Sequence, residues 1–521
     1  MSKSTKRWSR RRFLEATALA ASLTACGQGQ QPQPKEPEKK TPTPTPAAAA
    51  PAAILKDDRP FKLGLIGCGS QAVLNLMPAA LRIPGVKFTA VCDVIPSRAA
   101  AAQKLAGGQA KIYDDYKVLL KEADMDAVLI VTPLVFHRPM VEEAFKNGRH
   151  VFCEKTMAYT IDDCKAMLKA QAASGRILQI GHHLRYHPLY YFALLHYIVN
   201  HPLLGKITNV HCQWNRNGTW RRPHDPKETE GVDFKKWGYE SMDEVLNWRL
   251  YRKYSGGLMT ELASHQLDVV NWFLGDKLPQ AVVGVGKTDN DDSTLGPFPK
   301  RTIFDNVHLI YEYPDNVVVT YESITTNAFS PFGEAYEMFQ GREGTLVMAH
   351  LSTHVGLFFI EPGVAEQLWM PAAHRVKLES PNIHQQVYKN PIMLNGMPSP
   401  GTRLEKVATI DVADLVNQET AEVKMSTYQI ELYGFKKSVL DKTVPTCDGR
   451  IGLQSAIPAL LGLEAMEKNQ RIVAPPNILS LTEGTATRQA TSVAEGLSTG
   501  SKSLNKPTGP AAEAARAAYV P

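Results

Sequence analysis

Cysteine, net charge and long apolar runs are all scarce in this 521-residue chain. Its seven cysteines include no CxxC pair, which argues against a zinc ribbon. Cys68, Cys92, Cys153 and Cys212 lie in or beside apolar runs with strand character. Buried free thiols are therefore expected rather than a disulfide framework. The formal charge of +6 is concentrated at one end. Lys3, Lys6, Arg7, Arg10, Arg11 and Arg12 against Glu15 place +5 in the first 26 residues and leave +1 for the rest. Such a neutral body lacks the basic footprint of a nucleic-acid or acidic-membrane binder. The apolar run from Ala16 to Ala25 falls short of the about 20 residues a bilayer span requires. No internal repeat is visible.

A basic segment followed by a short apolar run has the form of an export signal. Ser9-Arg10-Arg11-Arg12-Phe13-Leu14 resembles the twin-arginine motif. Leu23-Thr24-Ala25-Cys26 resembles a lipobox, whose cysteine is acylated. Residues 1–26 are thus expected to be a signal. They imply a periplasmic protein that touches the membrane only through a lipid on Cys26. Residues 27–58, rich in Gln, Pro, Lys, Glu, Thr and Ala, fit an extended tether. Residues 475–521, rich in Ala, Thr, Ser and Gly, fit a low-complexity tail.

The remainder has globular composition and length enough for two domains. Over residues 59–181, short apolar runs alternate with helical patterns. Phe61–Ile66, Lys87–Cys92, Ala127–Val131 and His150–Cys153 have the form of buried strands. Leu74–Leu81, Arg98–Leu105, Pro139–Lys146 and Asp162–Ala173 have the form of crossover helices. That alternation predicts an α/β, doubly wound parallel sheet, a Rossmann fold. Over residues 182–474 the pattern changes to β-branched and aromatic runs such as Ile207–Trp214, Asn306–Tyr313 and Val317–Ser323. Helices are expected near Gly257–Leu274, Thr427–Leu440 and Leu453–Met466. This predicts an α+β domain with a mostly antiparallel open sheet.

Gly67-Cys68-Gly69-Ser70-Gln71-Ala72 is a GxGxxA fingerprint placed between a strand and a helix, as dinucleotide binding requires. Gly67 permits the tight turn, Gly69 lets the backbone approach a pyrophosphate, and Ala72 lets helix and strand pack closely. The next strand ends in Asp93, 24 residues after Gly69. A carboxylate there accepts from both ribose hydroxyls and repels a 2′-phosphate, favouring NAD over NADP. The full set of candidate cofactor contacts is Gly67, Gly69, Ser70, Gln71, Ala72, Asp93, Thr132, Pro133, His137, Glu154 and Lys155.

Two segments carry the candidate chemistry. The strand Val151-Phe152-Cys153 ends in Glu154-Lys155, on the side of such sheets where ligands bind. On the Gly256-Gly257 helix, Glu261, His265 and Asp268 stand at i, i+4 and i+7, within a stripe of about 60°. Their helix is otherwise apolar, which implies burial and an acid–His–acid stripe facing a cleft. His182-His183 has no partner cluster in the sequence, so no metal is expected.

Glu154-Lys155 followed by a Gly-Gly helix bearing acid-x-x-x-His-x-x-Asp resembles the Gfo/Idh/MocA family of oxidoreductases. Gly181-His182-His183-Leu184-Arg185-Tyr186-His187-Pro188 is similar to that family's entry into its second domain. The likeness spans about Phe61 to Arg471. It implies a Rossmann domain joined to an open-sheet α+β domain and hydride transfer between a nicotinamide and a sugar or polyol carbon. It assigns catalysis to Lys155 and His265 and the acidic position to Glu261. Arg185, Tyr186, Trp220 and Asp268 become candidate substrate contacts, and a homo-oligomer formed through the second sheet is implied. Two departures stand out. Thr156 replaces the usual proline after Glu-Lys, and Glu261 replaces an aspartate.

These residue types suit alcohol oxidation, which removes a hydride from carbon and a proton from oxygen. An imidazole serves as base near neutral pH, and a desolvated lysine polarises the oxygen or relays its proton. Glu261 is expected to fix the imidazole tautomer. An exported chain with no free cofactor pool outside leaves three readings. One is an oxidoreductase that passes hydride between two sugars on one trapped NAD. Another is a glycoside hydrolase, lyase or epimerase that oxidises its substrate only transiently. The third is a non-catalytic sugar-binding lipoprotein.

Overall fold

In the computed structural model the described residues are 55 and 57–481, apart from 200–202, 223–226, 228, 291–298, 333, 351–353, 361–391, 395–405, 408–409 and 412–424. The expected signal, most of the tether and the tail beyond residue 481 lie outside them.

The first sheet is built from β1 (Phe61–Ile66), β2 (Val86–Cys92), β3 (Lys111–Tyr113), β4 (Ala127–Ile130), β5 (His150–Glu154) and β6 (Leu178–Gly181), in the order β3-β2-β1-β4-β5-β6. All its pairings are parallel. β4, Ala-Val-Leu-Ile, is buried along its whole length, as expected for strands covered on both faces. The order reverses between β1 and β4, and the crevice at that switch point is where such sheets bind ligands. β3 and β6 were not foreseen. β3 exposes two of its three residues, and Gln179 and Gly181 break the apolar run of β6.

The second sheet adds β7 (Ile207–Trp214), β8 (Ala281–Lys287), β9 (Asn306–Tyr313), β10 (Val317–Ile324), β11 (Ala335–Gly341), β12 (Gly344–His350), β13 (His354–Ile360) and β14 (Ile392–Leu394). β15 (Lys406–Val407) and β16 (Ile410–Asp411) pair only with each other, and β17 (Ile472–Val473) closes the edge beside β8. Among the described residues the sheet has nine strands, all antiparallel except the β7–β10 pair. It is therefore mixed, though mostly antiparallel. β9 alternates cleanly: Val307, Leu309, Tyr311 and Tyr313 face inward, and His308, Ile310 and Glu312 face out. The inward face carries the helices Ser264–Phe273 and Gly449–Lys468. The Tyr313 hydroxyl donates to Asn271 Oδ1 (2.7 Å) and that of Tyr311 to the Pro458 carbonyl (3.1 Å).

Late helices also close the first sheet. On the helix Thr427–Asp441, Phe435 sets its ring edge-on to Phe61 (6.1 Å) and Phe152 (5.9 Å). Burying a ring of this size stabilises by about 1.5–3 kcal/mol. The Lys436 ammonium donates to the Pro84 carbonyl at 2.6 Å. Backbone pairing of Ile180 with Cys447 (3.0 Å) ties β6 to the start of the helix Gly449–Lys468. The end of the chain therefore holds both sheets together around the crevice.

Candidate active site

The turn after β1 is shaped by its glycines. Gly67 has φ +91°, and a Cβ there would run into the Val131 carbonyl and stand 3.0 Å from Thr132 Cγ2. Gly69 is the opposite case. No atom lies within 4 Å of the position its Cβ would take, and it lines a cavity of about 840 Å³. Ala72 is buried beneath the turn, where a larger side chain would push helix from strand. Asp93 grips the turn from β2, its Oδ2 accepting from the Cys68 N–H (2.6 Å) and its Oδ1 from that of Ile95 (2.8 Å). Asp93 also lines the cavity at the end of β2, the position from which a carboxylate reaches a ribose. An open backbone cradle beside a fixed carboxylate fits a dinucleotide.

From the first sheet, β5 delivers Glu154 and Lys155. Gln71 Nε2 donates to Glu154 Oε1 at 2.8 Å, tying the end of β5 to the glycine turn. The Lys155–Thr156 peptide bond is cis. Lys155 Nζ donates to the carbonyls of Glu261 (2.9 Å) and Thr260 (3.4 Å), and Thr156 Oγ1 donates to Thr260 O at 2.8 Å. Those carbonyls belong to a π turn, Met259–Ala263, in which Ser264 N–H reaches back to Met259 O before the α-helix begins. Such turns interrupt helices at functional sites. Here the turn gives Lys155 its acceptors across the domain boundary.

Glu261 spreads its carboxylate between Arg249 Nε (3.0 Å) and Ser255 Oγ (3.1 Å). It anchors Arg249, whereas the sequence implied an orienting partner for the imidazole. Its extra methylene over aspartate helps it span this pair. His265 lines the same cavity as Lys155 and Gly69. Its ring packs edge-on to His183 (4.9 Å) and beside Trp214 (6.1 Å). Burial pulls the Lys155 ammonium below the usual lysine range, opposed by Glu261 and Glu154. Burial pushes the Glu154 carboxyl up. It pushes Glu261 up as well, but Lys155 and Arg249 outweigh it and hold that carboxyl below its ordinary value.

Thr132, Pro133 and Trp220 also line the cavity, as does Ser70, whose hydroxyl accepts from Arg222 Nη2 at 3.0 Å. Five predicted contacts do not line it, the first being Ala72 beneath the turn. His137 is buried with its ring nitrogens against the carbonyls of Thr132 (3.0 Å) and Thr156 (3.1 Å), so it braces two loops of the site. Arg185 and Asp268 are buried against each other, Nε to Oδ1 at 2.9 Å and Nη2 to Oδ1 at 2.8 Å. Ser455 also donates to Asp268. Tyr186 is buried, with its hydroxyl accepting from the Cys447 N–H at 3.2 Å. These three pack within the second domain and do not line the cavity. The turn of helix from His265 to Asp268 carries the acid off the cavity side and into the packing of the helix Gly449–Lys468.

The sequence pointed to the Trp214–Trp248 segment without resolving its wall. Arg216 lies between Trp214 (5.1 Å) and Trp220 (5.6 Å), and Arg249 sits over Trp248 at 4.2 Å. Tyr428, about 160 residues further along the chain than His265, lines the cavity too, and nothing in its local sequence marked it. Among the described residues no group of three or more His, Cys, Asp or Glu could hold a metal ion, and the six cysteines are buried and unbridged.

Residues 61–182 match the NAD-binding Rossmann domain of the Gfo/Idh/MocA oxidoreductases, and residues 201–472 match that family's C-terminal α/β domain. An inositol 2-dehydrogenase of Salmonella paratyphi B is 29% identical over 215 residues, 40% of this chain and 63% of that enzyme. The chain thus spans less than two-thirds of the length of that curated relative. Among solved structures, the aldose–aldose oxidoreductase of Caulobacter crescentus in complex with glycerol aligns with TM-score 0.54 and 18% identity, over 80% of this chain and 100% of that one. A levoglucosan dehydrogenase in complex with NADH and levoglucosan aligns with TM-score 0.60 and 18% identity, over the same shares. At such identities these structures speak to the fold alone. With both of its domains matched in order over most of its length, the chain belongs to the Gfo/Idh/MocA oxidoreductase family, and its first domain is that family's NAD-binding Rossmann fold.

Proposed function

We propose that this protein transfers hydride between a tightly held NAD and a secondary alcohol of a sugar or polyol. One observation carries the reading. Lys155 from the first sheet and His265 from the second domain line the same cavity as Gly69 and Asp93. The inositol 2-dehydrogenase named above acts on a polyol by its name, which supports the substrate class. The backbone of Gly67, Gly69, Ser70 and Gln71 would hold the pyrophosphate, Asp93 the ribose, and Thr132 and Pro133 the flank. When bound, the nicotinamide supplies the hydride acceptor. His265 takes the hydroxyl proton as hydride leaves carbon. Lys155 donates to the same oxygen, aided by a lowered proton affinity. Glu261 keeps Arg249 in place against the wall.

The test is to unfold the purified protein, identify the released small molecule by mass spectrometry, and assay polyols and sugars with an electron acceptor. NAD release and net oxidation are expected. Lys155→Ala should abolish turnover and retain NAD, and full activity in that variant would overturn the assignment. Cleavage of nitrophenyl glycosides without net oxidation would instead favour transient oxidation.

We further propose that residues 1–26 direct twin-arginine export and lipidation at Cys26, a reading that rests on their sequence alone. Oligomerisation through the second sheet is proposed on its outer face, where Val285, Ile310 and Val318 are exposed.

A further inference from the structure

We propose that the substrate carries a carboxylate, and that Arg216 and Arg249 receive it beside Lys155. The inference rests on the reading of this cavity as a sugar-oxidising site. Of the seven cationic side chains that line the cavity, Lys155, Arg216 and Arg249 stand together beside His265 where the two domains meet. They lie near enough to act on one another, for both guanidinium groups make it harder for Lys155 to hold its proton. Only part of this charge is met by protein acids. Glu261 takes the Nε of Arg249 at 3.0 Å. Glu154, hydrogen-bonded by the neutral Gln71 amide (2.8 Å) and the Lys155 N–H (3.1 Å), acts on the Lys155 ammonium, so two acids face three cations and one positive charge is left over.

Arg216 is the least satisfied of the three. Its Nε is buried without a hydrogen-bond partner. The carboxylate of Glu334 stands 3.6 Å away on a side chain that is 61% exposed, and solvent screens such a pair to little value. Trp214 and Trp220 hold the guanidinium between them, so its donors are fixed before a ligand arrives. A rigid guanidinium matches the two oxygens of a carboxylate. Hydroxyl groups alone would leave the positive surplus uncompensated in a partly dry site, which is unfavourable. An aldonic or uronic acid satisfies both needs. It places hydroxyls at Lys155 and His265 and its acid at the arginines.

Calorimetric binding and NAD-linked turnover should be measured on the full chain with bound NAD. The probes are D-gluconate and D-glucuronate, their neutral counterparts D-glucitol and D-glucose, and D-glucose 6-phosphate. At least one acid should exceed its neutral counterpart in affinity and in kcat/KM by roughly tenfold or more, the scale of one charge-assisted hydrogen bond. Arg216→Gln should shrink that ratio roughly tenfold, mostly through KM, and Arg216→Lys should recover part of it. Equal or better handling of the neutral sugars, or an acid preference untouched in Arg216→Gln, overturns the proposal and leaves the oxidoreductase reading standing. Preference for the phosphate ester over both acids also overturns it. Arg216-dependent acid binding without any turnover sustains the proposal and counts against the oxidoreductase reading.

Discussion

Gly67 and Gly69, two residues apart in one turn, should respond to alanine in opposite ways. At Gly67 an added methyl group meets the Val131 carbonyl and Thr132 at a backbone φ of +91°. The left-handed conformation alone costs an L-residue about 1–2 kcal/mol. Overpacking of this kind adds about 1–3 kcal/mol. Gly67→Ala should therefore lower stability by about 2–5 kcal/mol with or without cofactor. At Gly69 the same methyl group meets nothing within 4 Å, so cofactor-free Gly69→Ala should unfold within about 0.5 kcal/mol of the parent. What it loses is ligand stabilisation. The methyl group projects into the space where the backbone would approach a pyrophosphate. At NAD one hundred times its Kd the parent gains about 2.7 kcal/mol, and a tenfold weaker site gains only about 1.4 kcal/mol. Thermal unfolding of stripped protein, with and without added NAD, reads both quantities. If Gly69→Ala keeps the full NAD-induced shift, the pyrophosphate does not lie over this turn and the proposed cofactor pose fails.

The buried pair Arg185–Asp268 yields a stability prediction. Asp268→Asn leaves a guanidinium at 1% exposure with Asp276 at 3.5 Å as its remaining acid among the described residues, and breaking such pairs costs about 3–5 kcal/mol. Urea unfolding should show that loss; an unchanged midpoint would return Asp268 to the cavity as a substrate contact. Glu337 yields a pH prediction. Burial pushes its carboxyl from 4.5 up to about 8, with the Tyr190 hydroxyl donating to it at 2.9 Å. Between those values the folded chain keeps a proton that the unfolded chain has released. Its contribution is therefore fully present below about pH 4.5 and lost as pH rises through about 8. The swing approaches about 5 kcal/mol at about 1.4 kcal/mol per pKa unit. Glu337→Gln should remove that slope when midpoints at pH 5 and pH 8.5 are compared, and an identical slope in both proteins would refute the account.

What was readable in advance follows a physical division. Residues whose place is imposed by backbone geometry could be located directly. Gly67 must be glycine because of its φ, Asp93 must end β2 to reach the turn, and Lys155 must follow a buried strand to stand at the switch point. Each is fixed by its own few neighbours in sequence. Most long elements were equally visible, whereas β3, with two of its three residues exposed, and β6, interrupted by Gln179 and Gly181, leave no continuous apolar run.

The predicted polar residues that do not line the cavity share a different property. Arg185, Tyr186, His137 and Asp268 are polar groups in apolar segments, and a sequence cannot distinguish a polar group facing a cleft from one satisfied by a distant partner. Asp268 finds Arg185 83 residues away and Ser455 187 residues away. Tyr186 finds the Cys447 N–H 261 residues away. A buried charge requires such a partner, but nothing local names it. The same ambiguity hid the wall of the cavity, where Arg216 lies between Trp214 and Trp220 and Arg249 sits over Trp248. The helix bearing His265 shows how narrow the margin is. One face of it presents an imidazole to the cavity, and three residues later an acid of similar polarity is locked into the core. Only the position of the helix Gly449–Lys468, set by the far end of the chain, separates the two roles.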